Sequence, residues 1–158
     1  MIEGVLEIWR VHEEINQFLL KNIPDAGFQA VPLLKTGQPS TGRTVSKVFA
    51  HMHGVRVAHV GRDFLKGLPR FETGAAPSRV ELMKAMQASG HAVEGRLTRI
   101  VERNERIKDR PGLILLGYLV SHESHHRGQI LLALKQSGVR APDAARFGIW
   151  EHWFRFKL

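Results

Sequence analysis

Apolar residues recur at intervals of three and four in four separate segments of the chain, and most of the residues between them are polar. This spacing places the apolar side chains on one face of a helix, so it predicts four amphipathic helices. The segments are about residues 3–22, 44–64, 78–100 and 111–136. The third segment keeps the spacing over seven-residue repeats, which is typical of a helix packed along its length in a bundle.

Residues that favour helix starts support three of these segments. Thr44 can cap the second helix with its hydroxyl, and Ser78 and Glu81 have the spacing of a capping box at the start of the third. Asp109 and Pro111 are typical of a helix start, so we expect the fourth helix to begin there.

The segments outside the helices contain turn-forming residues rather than strands. Residues 23–43 hold repeated Pro and Gly, which predicts a long first connection that crosses the end of a bundle. Residues 150–156 form an aromatic C-terminal tail, which we expect to close the core. No segment alternates apolar and polar residues between turns. The chain is therefore predicted to be all-α, with residues 1–158 forming a single four-helix-bundle domain.

The composition is that of an ordinary globular protein, with 43% hydrophobic and 24% charged residues. There is no Cys, so a disulfide, a thiolate nucleophile of the chain and a cysteine-based zinc cluster are excluded. We expect a cytoplasmic location and no membrane partner, because we find neither a signal-peptide pattern nor an apolar run of membrane-spanning length. The net charge is +8, but the basic residues are scattered, so we expect no specific nucleic-acid binding.

The clearest sign of chemistry is a pair of histidines in the fourth helix. His122 and His126 are four residues apart, so their rings project from the same face and can reach one metal ion. They continue the apolar stripe of this helix, which predicts that both face the interior of the bundle. Two buried neutral rings need partners, and either a metal or hydrogen-bonding groups would supply them.

A third ligand is expected from a neighbouring helix, and the apolar spacing leaves several candidates. In the second helix, His51 and His59 both continue apolar positions, and the apolar spacing favours them as ligands almost equally. His53 lies about 200° around the helix from His51, so the two cannot both face inward. His12 lies on the apolar stripe of the first helix, where a hydrogen-bonded core histidine is the simpler interpretation. The residues alone therefore leave the third ligand open.

Two motifs resemble the signature of the DinB/YfiT-like superfamily: residues 50–52, Ala-His-Met, and residues 122–129, His-Glu-Ser-His-His-Arg-Gly-Gln. The resemblance spans nearly the whole chain, and the second motif is its most specific part. It implies a four-helix bundle, often a homodimer, that holds a divalent metal, usually zinc or nickel. The ligands that it implies are His51, His122 and His126. Members with a known role include transferases and isomerases that use low-molecular-weight thiols.

The neighbours of the histidine pair suggest supporting roles. Gln129, three residues after His126, stays near the same face, and Arg127 could bind a carboxylate or another anionic group of a substrate. His125 points about 100° away from His126, so we expect it to form hydrogen bonds outside the ligand set. Glu123 is a candidate general base or a residue that orients a histidine, and a solvated or salt-bridged Glu is the alternative.

Residues 122–126 also satisfy the His-Glu-x-x-His pattern of zinc peptidases, in which the Glu activates water. The extended form of that pattern needs Gly and His where this chain has Gln129 and Leu132, so the extended form is excluded.

Three neutral imidazoles would leave a divalent ion at least one open position, as in catalytic sites. We therefore expect a metal-dependent enzyme of the thiol-dependent transferase type, with a small-molecule substrate and a low-molecular-weight thiol as cosubstrate. The alternatives are a metal-assisted hydrolase and a noncatalytic metal-binding helical module.

Overall fold

The computed structural model describes residues 2–154, which are mostly helical. The helices are α1 Ile2–Asn22, α2 Val45–His59, α3 Arg79–Arg103, α4 Ile114–Gln136 and α5 Asp143–Phe154. Short 3-10 helices at Asp25–Gln29 and Arg62–Phe64 lie in the two long connections. The all-α prediction is confirmed, and α5 is an additional helix that includes much of the predicted tail. None of the helices within the described range has the length and apolar character needed to cross a membrane.

Side chains cap two of the helices as the sequence predicts. The Thr44 hydroxyl accepts a hydrogen bond from the Lys47 backbone N–H at 3.4 Å. Ser78 accepts from the backbone N–H of Glu81, and the Glu81 carboxylate accepts from the backbone N–H of Ser78. These bonds satisfy N–H groups that the start of a helix leaves without an internal partner.

A short hairpin replaces the predicted start of the fourth helix. Strand β1, Arg106–Ile107, pairs antiparallel with β2, Arg110–Pro111, and α4 begins only at Ile114. Asp109 lies in the turn between the strands, and Pro111, which has no N–H, is tolerated at the edge of so short a ladder. The predicted boundary is therefore wrong, because both residues serve the hairpin.

The buried apolar residues form two clusters. The first cluster includes Leu20, Phe49, Met52, Met86 and Ile130. The second cluster includes Leu6, Trp9, Val60, Leu97 and Leu119. Along α1 and α4 the second cluster comes before the first, and along α2 and α3 the order is reversed. Helices α1 and α4 therefore run in one direction and α2 and α3 in the other, so the connection between α2 and α3 returns along the bundle.

Five buried polar side chains form a layer between the two clusters. They are His12 and Asn16 of α1, Arg56 of α2, and Glu123 and Arg127 of α4, and each is exposed by 7% or less. We call this set the polar layer. Because a polar group without a partner would be strongly destabilising there, the fold requires these side chains to bond to one another.

Helix α5 packs against α1 through a small residue. Gly148 is buried, and a Cβ atom there would come within 2.8 Å of the Phe18 ring. Trp150 and Phe154 are 57% and 70% exposed. The expectation that the aromatic tail closes the core is therefore wrong for these two side chains. Residues 155–156 of the predicted tail lie outside the described residues.

Candidate metal centre

Three histidines from two helices converge beside the polar layer. One ring nitrogen of His51 in α2 and one each of His122 and His126 in α4 all lie within 4.8 Å of one another. The Nε2 atoms of His122 and His126 are 3.1 Å apart. The His51 ring centroid lies 5.2 Å from that of His122 and 4.8 Å from that of His126. The structure thus brings the predicted pair together with one of the candidate third ligands, and we call these residues the histidine cluster.

The spacing and chemistry of the histidine cluster fit a divalent ion. Zinc binds histidine nitrogens at about 2.0–2.1 Å with tetrahedral geometry, so two ligand atoms of one ion lie roughly 3.3 Å apart. The 3.1 Å between the Nε2 atoms of His122 and His126 is close to that value. Nδ1 of His122 is buried and has no hydrogen-bond partner within residues 2–154. Neutral imidazole nitrogens are suitable ligands for both zinc and nickel.

Burial lowers the pKa of all three rings. The pKa of His51 falls from its ordinary value of 6.5 to about 4, mainly through burial and then through the positive charge of Arg43. The pKa values of His122 and His126 are also lowered, with burial as the largest cause. A metal binds only the neutral ring, so the three side chains are in the ligand form at neutral pH.

Gln129 fixes the orientation of one ring in the cluster. Its Oε1 accepts a hydrogen bond of 2.8 Å from Nδ1 of His126, since an amide oxygen can only accept. Nε2 of His126 therefore carries the lone pair, and this atom faces His122. The Gln129 amide nitrogen donates to Nε2 of His125 at 2.9 Å. Gln129 thus lies where it can support a ligand, and His125 lies outside the cluster.

The other candidate histidines have different partners. His12 is fully buried and bonds to Oε2 of Glu123 at 2.9 Å. His59 is exposed, and its Nδ1 donates to a carbonyl of its own helix at 2.8 Å. His53 is also buried, contrary to the expectation from its angle to His51, because its Nε2 donates to a carbonyl of the connection after α2. The structure therefore identifies His51, rather than His59 or His12, as the third candidate ligand. The apolar spacing alone does not make this choice.

The carboxylate of Glu123 is held inside the polar layer. Arg56 donates to its two oxygens from Nε and Nη2, at 2.7 Å each. Oε2 also accepts from His12 at 2.9 Å and from Asn16 at 2.7 Å. Burial opposes ionisation, but the charge and hydrogen bonds of Arg56 outweigh it, so the pKa of Glu123 lies well below its ordinary value. Such a stable anion is a poor proton acceptor, so this placement favours a structural role over the suggested general base.

Arg127 also belongs to the polar layer. Its Nη1 donates to Oδ1 of Asn16 and its Nη2 to Oγ of Ser124, both at 2.8 Å. Nη1 also approaches Nδ1 of His12 at 3.4 Å, which suits a ring that donates from Nε2 and accepts at Nδ1. Because Arg127 is 7% exposed and these donors are engaged, the structure does not support the suggested binding of a substrate anion by this residue.

Together with His12, Arg56 and Asn16 join Glu123 to α2 and α1, and the sequence did not lead us to expect either of them there. A signal for Arg56 is present, because it lies four residues after Met52 and four before Val60, on the buried face of α2. A charged residue at such a position indicates a buried partner of opposite charge on another helix. Asn16 offers no comparable signal, since its role depends on partners in α4.

In a comparison with protein families, residues 2–151 of the chain match the DinB family. No curated protein matches the chain. The matched range includes the whole histidine cluster and the polar layer that joins its helices. The chain belongs to the DinB family.

Proposed function

We propose that this protein is a divalent-metal enzyme of the thiol-dependent transferase type, with His51, His122 and His126 as its metal ligands. The observation that carries the proposal is the approach of three neutral ring nitrogens, from two helices, to within 4.8 Å of one another. Membership of the DinB family supports it, because the family resemblance implies a metal centre and thiol-using members. Zinc and nickel are the proposed metals, since imidazole suits both.

The chain's own residues prepare the ligand set. Burial keeps the three rings neutral, and Gln129 holds the His126 ring by its Nδ1 atom. Three protein ligands leave an ion at least one open position, and an ion held there supplies Lewis acidity that favours the thiolate form of a thiol. The chain has no Cys, so the reacting thiol belongs to a separate cosubstrate.

The placement of Glu123 argues against a peptidase of the His-Glu-x-x-His type. In such an enzyme the Glu accepts a proton from water. Here both carboxylate oxygens accept hydrogen bonds inside the polar layer, and the side chain has no exposure to solvent. A metal held by the histidine cluster would lower the pKa of a thiol cosubstrate, so the proposed thiol transfer would not require Glu123 as a base.

Metal content is the first test. Purified wild-type protein is analysed for metals beside His51→Ala and His122→Ala, before and after addition of zinc or nickel. We expect about one ion per chain in the wild type and loss of the ion in both variants. His59→Ala is the matched control, because His59 is on the same helix as His51 but outside the cluster. Retention by His51→Ala with loss in His59→Ala would reassign the third ligand, and a wild type that binds neither metal would contradict the proposal.

Turnover is the second test. The metal-loaded protein is incubated with low-molecular-weight thiols and small electrophiles, and formation of the S-conjugate is followed. We expect conjugation that requires the metal and is lost in His122→Ala. Metal binding without turnover would favour the noncatalytic module, and metal-dependent hydrolysis of ester or amide substrates would favour the hydrolase.

Two further expectations stay predictions. The family resemblance implies a homodimer, which sedimentation of the full chain would test. The cytoplasmic location would be tested by cell fractionation.

A further inference from the structure

Arg43 lies two residues before α2 and lines a cleft together with Gln129, the residue that holds the His126 ring. Its side chain is exposed, and it forms no hydrogen bond or ion pair with another residue of the described range. The guanidinium donors are therefore available to a molecule that binds beside Gln129.

Of Arg43, Arg56 and Arg127, Arg43 is the residue whose guanidinium remains available to a ligand. Arg56 is fully buried and held by Glu123, and Arg127 is buried and bonded to Asn16. Neither can turn towards a bound molecule without breaking the polar layer. Arg43 lies in the connection before α2 and has no such constraint.

This cleft has a volume of about 360 Å³, and Arg43 forms part of its wall. Its floor is mostly apolar and includes Val45, Val48, Ile130 and Ala133. No acidic side chain of the described residues lines it, so nothing in the cleft neutralises the guanidinium. The combination of an apolar floor and one unopposed positive charge suits an amphiphilic anion.

Gln129 connects this cleft to the histidine cluster, since it lines the cleft and also accepts the hydrogen bond from His126. Another part of the cluster is covered by Tyr118, whose ring stacks on His122 with centroids 5.7 Å apart. A ligand that entered from the cleft would therefore reach the cluster past Gln129, with its far end near Arg43.

We infer that the ligand of this centre is a small organic carboxylate, with its negative group bound by Arg43 and its apolar part in the cleft. A guanidinium can donate two parallel hydrogen bonds to a carboxylate, and one guanidinium matches its single negative charge. The inference rests on the proposed function, because it names the substrate class of the same site. The contact between Arg43 and the carboxylate does not itself need the metal, so the two can be tested separately.

The test compares two probes that differ in charge. Binding of 6-mercaptohexanoate and of uncharged 6-mercaptohexanol to the zinc-loaded full chain is measured by titration calorimetry. We expect the wild type to bind the acid about tenfold more tightly than the alcohol. Arg43→Gln should remove this preference without changing metal content, and Arg43→Lys should keep part of it. Arg70→Gln is the charge-matched control, because Arg70 is exposed and lines a different cleft, so the preference should survive.

A second arm uses hexanoate and metal-free protein. Weak binding that is lost in Arg43→Gln supports the inference even where the protein takes up no metal, an outcome that would contradict only the proposed function. Equal affinity of the wild type for the two thiols, or a preference for the acid that survives in Arg43→Gln, overturns the inference. So does hexanoate binding to metal-free protein that Arg43→Gln leaves unchanged.

Discussion

Arg56 of α2 and Glu123 of α4 form two hydrogen bonds of 2.7 Å, and neither side chain is exposed to solvent. The pair joins the two helices that carry the histidine cluster, with His51 on one and His122 and His126 on the other. The relative position of the candidate ligands therefore depends on a contact in the polar layer beside them. A buried pair of this kind adds little net stability, but removal of one partner strongly destabilises the protein.

Glu123→Gln should destabilise the protein by about 3 kcal/mol, because it removes the charge that accepts two hydrogen bonds from the buried Arg56 guanidinium and leaves Glu13 as the remaining anionic partner of Arg56. Urea unfolding followed by circular dichroism measures the free energy of unfolding. The control is Glu94→Gln, which breaks a partly exposed pair with Arg10 and should change that free energy much less, because solvent screens the pair. If the free energy of unfolding fell by a similar amount in the two variants, burial would not make the Glu123 pair more important for stability than the exposed pair.

Gln129→Leu should weaken zinc binding by about 10–100-fold, because His126 loses the acceptor that holds its ring and fixes its lone pair on Nε2. The number of ions bound at saturation should stay the same, since no ligand is removed. Competition with a zinc-binding dye measures the affinity, and Gln87→Leu, an exposed change on α3, is the control. An unchanged affinity in Gln129→Leu would mean that the hydrogen bond to His126 does not orient a ligand.

The histidine cluster was only partly accessible to sequence reasoning. His122 and His126 can be paired from sequence because they lie on one helix, where a spacing of four fixes their relative position. The choice between His51 and His59 depends on the rotation of α2 about its own axis. That rotation is set by tertiary contacts, including the burial of Arg56, which the apolar spacing does not contain.

The buried face of α4 also differs from the face that the sequence predicts. The predicted buried stripe includes Leu119 and His122; Leu119 is fully buried, but His122 is only half-buried, and its neighbour Glu123 is fully buried instead. A Glu within a helix is normally a surface residue. The partners that bury this one, Arg56 and Asn16, lie 67 and 107 residues away in the sequence. No local pattern in α4 could therefore identify the polar layer.

The metal-free protein should lose stability as the pH falls from about 6.5 towards 4. In the unfolded chain His51 titrates near its ordinary value of 6.5, whereas in the folded protein its pKa is about 4. The unfolded chain therefore binds more protons in this window, and protonation favours unfolding. Burial lowers the pKa of His12, which acts in the same direction.

Urea unfolding in the presence of a chelator, across a series of pH values, measures this dependence. His51→Gln removes one titrating ring and should make the fall in stability shallower, while His59→Gln should not. A stability that stays constant through the window would contradict the lowered pKa of His51.

Zinc should stabilise the folded protein, because the three rings converge only in the folded chain. With free zinc at about one hundred times its Kd, the free energy of unfolding should rise by about 2.7 kcal/mol, and a chelator should reverse the change. The effect should be lost in His126→Ala and kept in His59→Ala. A similar rise in His126→Ala would place the ion elsewhere. The 3.1 Å approach of His122 to His126 would then be a hydrogen bond between neutral rings and not the preparation of a ligand set.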